Sequence, residues 1–256
     1  MTAVGLLHPG AMGAALGQQL VRAGCAVSWA STGRGEATKE RAEAAGLRDA
    51  RTIEELFAGS EVLLSVCPPH AAEDVGAAVA AAGFDGSFVD GNAVAPATAR
   101  RIAGLVAPAR FVDGGIVGPP PSRAGTTRLH LSGEGAEDVA ALFTGTTVEA
   151  RTHPGGPGAA SAIKVCFAAW TKGTAALLLA IRSLAEAEGV EEGLLAEWAT
   201  SLPDLPARSD AARGTAAKAW RFVGEMEESA SAFEAAGLPG GFSAAAAEVY
   251  AALARG

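Results

Sequence analysis

The stretch Gly5-Leu6-Leu7-His8-Pro9-Gly10-Ala11-Met12-Gly13 decides the fold. Ala3 to Leu7 is short, apolar and bounded by turn residues, which is the pattern of a buried strand. The chain then turns through His8, Pro9 and Gly10, and Met12–Ala23 carries helical spacing. A strand, a turn of small residues and a helix N-terminus make a place for a phosphate. The backbone can come close there, and the first helical turn offers N–H groups without intrahelical partners. In the Gly-x-Gly-x-x-Gly pattern of dinucleotide-binding turns, Gly10 and Gly13 hold the second and third positions, while His8 stands at the first.

Outward from this turn, short β-rich runs alternate with Ala-rich helical patterns. The strands expected are Ala3–Leu7, Ala26–Ala30, Val62–Cys67, Ser87–Asp90, Arg110–Asp113, Arg128–Ser132 and Thr147–Ala150. Between most of them fall the helices Met12–Ala23, Glu36–Ala45, Ile53–Phe57, Ala71–Ala82, Ala97–Leu105 and Ala136–Phe143. This alternation predicts an α/β fold, a Rossmann-type doubly wound and mostly parallel sheet covered on both faces. The breakers Pro154 to Gly158 mark a boundary, giving a nucleotide-binding domain over 1–154 and an all-α domain over 155–256. The second domain is built on a long interdomain helix, Ala159–Ala187, loosened at Gly173. Shorter helices follow at Glu191–Ala199, Ala216–Ala236 and Ser243–Leu253, separated by Leu202-Pro-Asp-Leu-Pro206 and Gly237-Leu-Pro-Gly-Gly241. So thin a helical domain needs a surface to pack on, and the expected partner is a second copy, a homodimer through the C-terminal helices.

A net charge of −8 over 256 residues leaves no basic footprint for nucleic acid. Cys25, Cys67 and Cys166 are far apart and read as reduced core residues, with neither a disulfide framework nor a metal site. The greasiest run, Thr174–Ile181, is short for a bilayer span. The expectation is a cytoplasmic protein with a small-molecule substrate and neither nucleic acid nor membrane as partner.

The second strand runs into Ser31-Thr32-Gly33-Arg34, with no carboxylate before Glu36. Two hydroxyls and a guanidinium suit a ribose 2′-phosphate, so the cofactor expected is NADP(H) rather than NAD(H). Loops after the next strands belong to the same rim, with Cys67 and Pro68 in its wall. Asn92 there can reach a ribose or a substrate group.

His8-Pro9-Gly10-Ala11-Met12-Gly13, Asp113-Gly-Gly-Ile-Val-Gly-Pro-Pro-Pro121 and Gly155-Gly-Pro-Gly158…Lys164 occur in that order. Together they resemble the three motifs of the β-hydroxyacid dehydrogenase and 6-phosphogluconate dehydrogenase superfamily. Lys164-Val-Cys-Phe-Ala-Ala-Trp-Thr-Lys-Gly173 and Gly224-Glu-Met-Glu-Glu228 resemble a branch with a shorter phosphogluconate-dehydrogenase-like C-terminal domain of unknown function. The resemblance implies that Lys164 passes a proton to or from the substrate oxygen while a hydride moves to or from nicotinamide. It also implies that Gly114, Gly115, Val117 and Gly118 line the substrate, with Arg123 or Arg128 able to supply charge.

The departures from the family pattern are instructive. The family's helix Asn is replaced by Phe167 and Ala168, and its next-turn carboxylate by Thr171, with Lys172 beside it. Its loop Ser is replaced by Val117. Phe167, Thr171 and Lys172 are therefore the remodelled substrate-side residues. Glu225 and Glu228 read as solvated helix charges; if their face meets the long helix, one of them replaces the missing carboxylate. The function expected is an NADPH-dependent reductase or dehydrogenase of a small carbonyl or hydroxy acid. Imine reduction on the same scaffold and a non-catalytic NADP(H) sensor or assembly protein are the alternatives.

Overall fold

The computed structural model describes residues 1–214 and 219–255. They divide into two compact units, Met1–Lys164 and Val165–Gly256. In the first, β1 (Ala3–Leu6), α1 (Ala11–Arg22), β2 (Ala26–Trp29), α2 (Glu36–Ala44) and β3 (Arg48–Asp49) come first along the chain. They are followed by α3 (Ile53–Ala58), β4 (Val62–Ser65), a 3₁₀ turn at Pro69–Ala71, α4 (Ala72–Ala81), β5 (Ser87–Asp90) and α5 (Pro96–Leu105). Then come β6 (Arg110–Val117), β7 (Thr127–Ser132), α6 (Ala136–Ala141) and β8 (Val148–Thr152), and α7 (Ala159–Ala187) begins.

The strands form one sheet in the order β3-β2-β1-β4-β5-β6-β7-β8, parallel throughout except for the β6–β7 pair. Strand alternation divides the core by face. Leu6, Leu64, Val89 and Val112 join Leu16, Leu20 and Phe143 on one side. Leu7, Leu63, Phe88 and Phe111 join Leu56, Val79 and Ile102 on the other. Both faces are covered by helices, which is why the strands read as continuous apolar runs. Strand order reverses beside β1, with β2 on one flank and β4 on the other. In a doubly wound sheet that reversal opens a crevice at the carboxyl ends of the strands.

In this unit β3 and β6 depart from the sequence expectation. Strand β3 is two exposed residues at the sheet edge. Strand β6 is longer than expected. The segment from Asp113 was expected as a substrate loop, yet Asp113–Val117 is strand, paired with β7 from Asp113↔Ser132 to Val117↔Arg128. The chain turns at Gly118, where φ is +114° and a Cβ would stand 2.1 Å from the Thr126 carbonyl oxygen.

In the second unit α7 continues without a break through Gly173, contrary to the loosening expected there. After it come α8 (Glu191–Ser201), α9 (Leu205–Arg213), α10 (Trp220–Ala235) and α11 (Gly241–Leu253). Sequence reading left α9 as a connector. Of the helix expected over 216–236, residues 216–218 lie outside the described residues. Ala168, Ala176, Leu178 and Leu179 of α7 pack with Trp198, Met226 and Tyr250 in a separate core. By length and composition α7 could cross a membrane, which the short run Thr174–Ile181 had not suggested. Its polar contacts explain it better as a shared core helix: its first turn is bonded to buried side chains of the sheet, and Lys172 to α10.

Candidate functional site

The glycine turn divides its labour between its two glycines. A Cβ on Gly13 would stand 2.2 Å from the His8 carbonyl oxygen, so Gly13 lets α1 close onto its own turn. A Cβ on Gly10 would meet nothing within 4 Å. Gly10 is the N-cap of α1 and gives the helix no side-chain cap. The first-turn N–H groups of Ala11, Met12 and Gly13 therefore face an approach that no side chain closes, the condition for an anion at a helix N-terminus. These residues fit a dinucleotide pyrophosphate.

His8 does not add charge to that cradle. Its carbonyl accepts the Gly10 N–H at 2.8 Å, and its Nδ1 is buried without a hydrogen-bond partner. Burial first, and then the Arg34 guanidinium, lower the imidazole pKa to about 4, so the ring is neutral at physiological pH. Arg34 donates to the Leu7 carbonyl at 3.2 Å. Arg41, which the sequence had not singled out, donates to the buried Pro9 carbonyl at 3.1 Å. Two guanidinium groups from the β2 side thus clasp the backbone of the turn.

Ser31–Arg34 is a tight turn, with the Arg34 N–H donating to the Ser31 carbonyl at 3.0 Å and Gly33 at φ +75°. No carboxylate stands between the second strand and Glu36 along the chain, but β3 brings Asp49, later in the sequence, to Ser31. Burial pushes the Asp49 carboxyl up, but hydrogen bonds from Ser31 and Arg51 outweigh it and hold it below the ordinary range. Ser31 is thus engaged with Asp49, whereas Thr32 is exposed and presents its hydroxyl to solvent.

Asn92 is buried and braces two rim loops. Its Oδ1 accepts the Cys67 N–H at 2.6 Å, its Nδ2 donates to Ser65 Oγ at 3.2 Å, and its own N–H donates to Asp90 Oδ1 at 3.1 Å. Burial, and then the Asp90 charge, push the Cys67 thiol up to about 11. Pro68 stands exposed beside it. Cys166 is exposed, and Cys25 and Cys67 are half-buried, so the expectation of three core cysteines fails.

The end of β6 and the start of α7 meet through Asp113, which is fully buried. Its Oδ2 accepts the N–H groups of Gly158 and Ser161 at 2.9 and 3.0 Å and the Ser132 hydroxyl at 3.1 Å. Its Oδ1 accepts the Ser161 hydroxyl at 2.5 Å. Two residues on, a Cβ at Gly115 would lie 2.7 Å from the Ala160 carbonyl and 3.0 Å from Lys164 Cβ. Gly115 and Gly114 serve as close-approach positions, a Cβ at Gly114 falling 3.0 Å from the Asp90 carbonyl oxygen. Val117 is buried in the strand and Gly118 makes the turn. The first unit thus gathers the glycine turn, Ser31–Arg34, the Asn92 brace and Lys164.

Phe167, Thr171 and Lys172 belong to the second unit. Phe167 is exposed, and its carbonyl accepts the Thr171 hydroxyl at 2.9 Å. Lys172 is tied to Glu225, lies 4.7 Å above the Phe222 ring, and gives its carbonyl to the Tyr250 hydroxyl at 2.8 Å. This network corrects two expectations: Lys172 is an internal strut rather than a ready substrate ligand, and Glu225 is not a solvated charge.

Two measurements test this construction. Gly13→Ala should lose at least about 2 kcal/mol of stability in urea unfolding, because the clash is with backbone, whereas Gly10→Ala should fold as the native chain does and lose coenzyme affinity. A depressed His8 pKa favours the unfolded chain wherever only the latter is protonated. Stability should therefore fall as pH drops from 6.5 towards about 4, and His8→Asn should flatten that part of the unfolding-versus-pH curve.

Comparison with known proteins agrees with this reading of the fold. The NAD binding domain of 6-phosphogluconate dehydrogenase matches residues 3–142, and a domain of unknown function, DUF1932, matches residues 185–253. An uncharacterized 28.5 kDa protein of Methanothermus fervidus, from a 7S RNA 5′ region, is 30% identical over 164 residues. That match covers 64% of this chain and 63% of the relative. The conserved protein MTH1747, of unknown function and structurally similar to 3-hydroxyacid dehydrogenases, is 27% identical, with a TM-score of 0.73 over 98% of this chain and 96% of that one. Mycobacterium tuberculosis 3-hydroxyisobutyrate dehydrogenase with L-serine shares 20% identity, with a TM-score of 0.71 over 100% and 94% of the two chains. A reductive aminase of Aspergillus terreus with NADPH and ethyl levulinate shares 20%, with a TM-score of 0.59 over 100% and 94%. The domain match spans more than half of the sequence and contains the glycine turn, and the chain belongs to the family of the NAD binding domain of 6-phosphogluconate dehydrogenase.

Proposed function

We propose that the protein is an NADP(H)-dependent oxidoreductase acting on a small carbonyl or hydroxy acid, with Lys164 as proton donor and acceptor. The observation that carries this reading is the closeness of Lys164 to Gly115, on a strand of the same sheet that bears the open glycine turn. The nicotinamide supplies or accepts the hydride. Lys164 holds the proton that the substrate oxygen gains on reduction and loses on oxidation. Asn92 positions the rim without touching the reacting atoms, its amide being committed to Cys67 and Ser65. Arg34 suits a 2′-phosphate and Asp49 opposes one, so selectivity for NADP(H) rests on Arg34.

Imine reduction on the same scaffold is favoured by Val117, which offers no hydroxyl to a hydroxy acid, and by the fold likeness to a reductive aminase that holds NADPH. Lys164→Ala should retain NADPH binding and lose turnover by about a hundredfold or more across a carbonyl and imine panel. Arg34→Ala should weaken NADPH by roughly tenfold and leave NADH unchanged in fluorescence titration. Tight NADPH binding with no oxidation by any substrate would instead favour a sensor.

We also infer a homodimer through α7. Trp170, Leu177 and Leu184 recur every seven residues and are 64%, 59% and 63% exposed, an apolar ridge on one helix face. Half-buried and exposed thiols at Cys25, Cys67 and Cys166 fit a reducing, cytoplasmic setting. Sedimentation should give twice the chain mass for the native protein and the monomer mass for Leu177→Glu.

A further inference from the structure

A lysine that gives or takes a proton in every turnover must exchange that proton with water before the next one. The sheet face under α7 holds a route for it. Asp113 and Ser132 are register partners, and both bond the first turn of α7, which fixes that face. His130, opposite Gly115 and two residues from Ser132, lies on the same face. Directly opposed residues of an antiparallel pair have Cβ atoms about 4.5–5.5 Å apart. A Cβ at Gly115 would lie 3.0 Å from Lys164 Cβ. The Cβ atoms of His130 and Lys164 are therefore within about 8.5 Å of each other, inside the combined reach of an imidazole and a lysine.

His130 is buried, and its Nδ1 lies 2.8 Å from His153 Nε2. The ring centroids are 5.0 Å apart, a separation filled end to end by this gap and the two ring radii. The nitrogens thus point at each other along one line. That is the geometry of an N–H···N hydrogen bond, not of two lone pairs converging on a metal ion. His153 is half-buried and leads into the exposed segment 154–156, so the pair runs from the covered face towards water. Its backbone N–H donates to the Leu131 carbonyl at 2.9 Å, which fixes the base of the ring.

The charged groups around the pair are Asp113 on β6, Arg128 on β7, Glu149 and Arg151 on β8, and Lys164 on α7. The Asp113 oxygens are occupied by Gly158, Ser161 and Ser132, and Glu149 is bound to Arg151 at 2.9 and 2.6 Å. Burial, and then His153, Arg151 and Arg128, hold the His130 pKa down against the pull of Glu149. This favours a neutral ring, and only a neutral imidazole has one nitrogen to accept a proton and another to give one.

We propose that His130 and His153 form a proton relay between Lys164 and water. The inference rests on the oxidoreductase reading and supplies the proton that reading consumes. On reduction the substrate takes a proton from Lys164, leaving an amine. The amine takes the Nε2 proton of His130, His130 Nδ1 takes the Nε2 proton of His153, and His153 Nδ1 gains one from solvent. Each ring breaks one N–H bond and forms another, one proton enters, and no electrons move. Oxidation runs the chain backwards, and exchange of ring protons with water restores the first tautomers.

Hydrogen exchange between the Lys164 ammonium and water, read by heteronuclear NMR on the full chain with and without NADPH, tests the relay. Lys164→Arg identifies the signal. His130→Gln and His153→Gln should each slow the exchange by about tenfold or more, and the exposed His70→Gln should match the native chain. A purely structural role has the opposite sign, because loosened packing admits water and speeds exchange. The unmutated chain gives a second reading, in which the imidazole nitrogen shifts at neutral pH should show two neutral rings sharing one N–H. Unchanged or faster exchange in His130→Gln or His153→Gln overturns the proposal. So does equal slowing in His70→Gln, or a charged ring in the native pair. Failure of NADPH to bind would sink the oxidoreductase reading separately, while exchange in the coenzyme-free chain still judges the relay.

Discussion

The carboxylate of Asp113 is the constraint on which the sheet-bearing unit depends. It is fully buried and accepts donors from Gly158, Ser161 and Ser132, so its charge is met by hydrogen bonds and by the positive end of a 29-residue helix. Burial of a carboxylate is tolerable only with donors of this number and geometry, which makes the contact unforgiving. Gly158 can supply its N–H because it adopts φ +100°, in space bounded by Pro96 and Arg100. The pin therefore fixes where α7 starts and the close approach that Gly115 permits to Lys164. Small residues and one charge join strand to helix where a substrate loop was expected.

Strand interiors and long helices were legible because burial on both faces imposes a simple pattern. Apolar runs bounded by breakers returned the parallel strands, and α7 keeps the bounds that its sequence suggested. What escaped has physical causes. With Arg48 and Asp49 alone, both exposed, β3 carries no apolar signal; backbone pairing to β2 makes it a strand. The helix α9 begins at Leu205-Pro206, where proline occupies a first-turn position whose N–H has no intrahelical partner, so a residue read as a breaker is an initiator. Asp113-Gly-Gly read as loop because glycine is poor in strands, yet those glycines are where backbone and helix come too close for a side chain.

The site was legible as a list of residues but not as a division of roles. His8 filled a glycine position, and sequence could not say that its main chain closes the turn while its ring stays neutral. Register is invisible in a single sequence, so Asp49 beside Ser31 could not be found. Arg41 escaped for the same reason, because its partner is a carbonyl 32 residues away.

The composition of α7 follows from the demands placed on its separate faces. Near its start, the Ala160 backbone lies against Gly115 and Ser132, and Ser161 bonds Asp113. Further along, Ala168, Ala176, Leu178 and Leu179 fill the second core. A third face carries Trp170, Leu177 and Leu184 into solvent in the isolated chain. A helix with so few polar positions matches a membrane span in hydropathy, although each apolar face has its own reason. The polar groups that remain are therefore informative. Lys172 is neutralised within its own unit by Glu225. Lys164 stands at the end of the segment that Asp113 holds against the sheet, where Gly115 lets its Cβ come close.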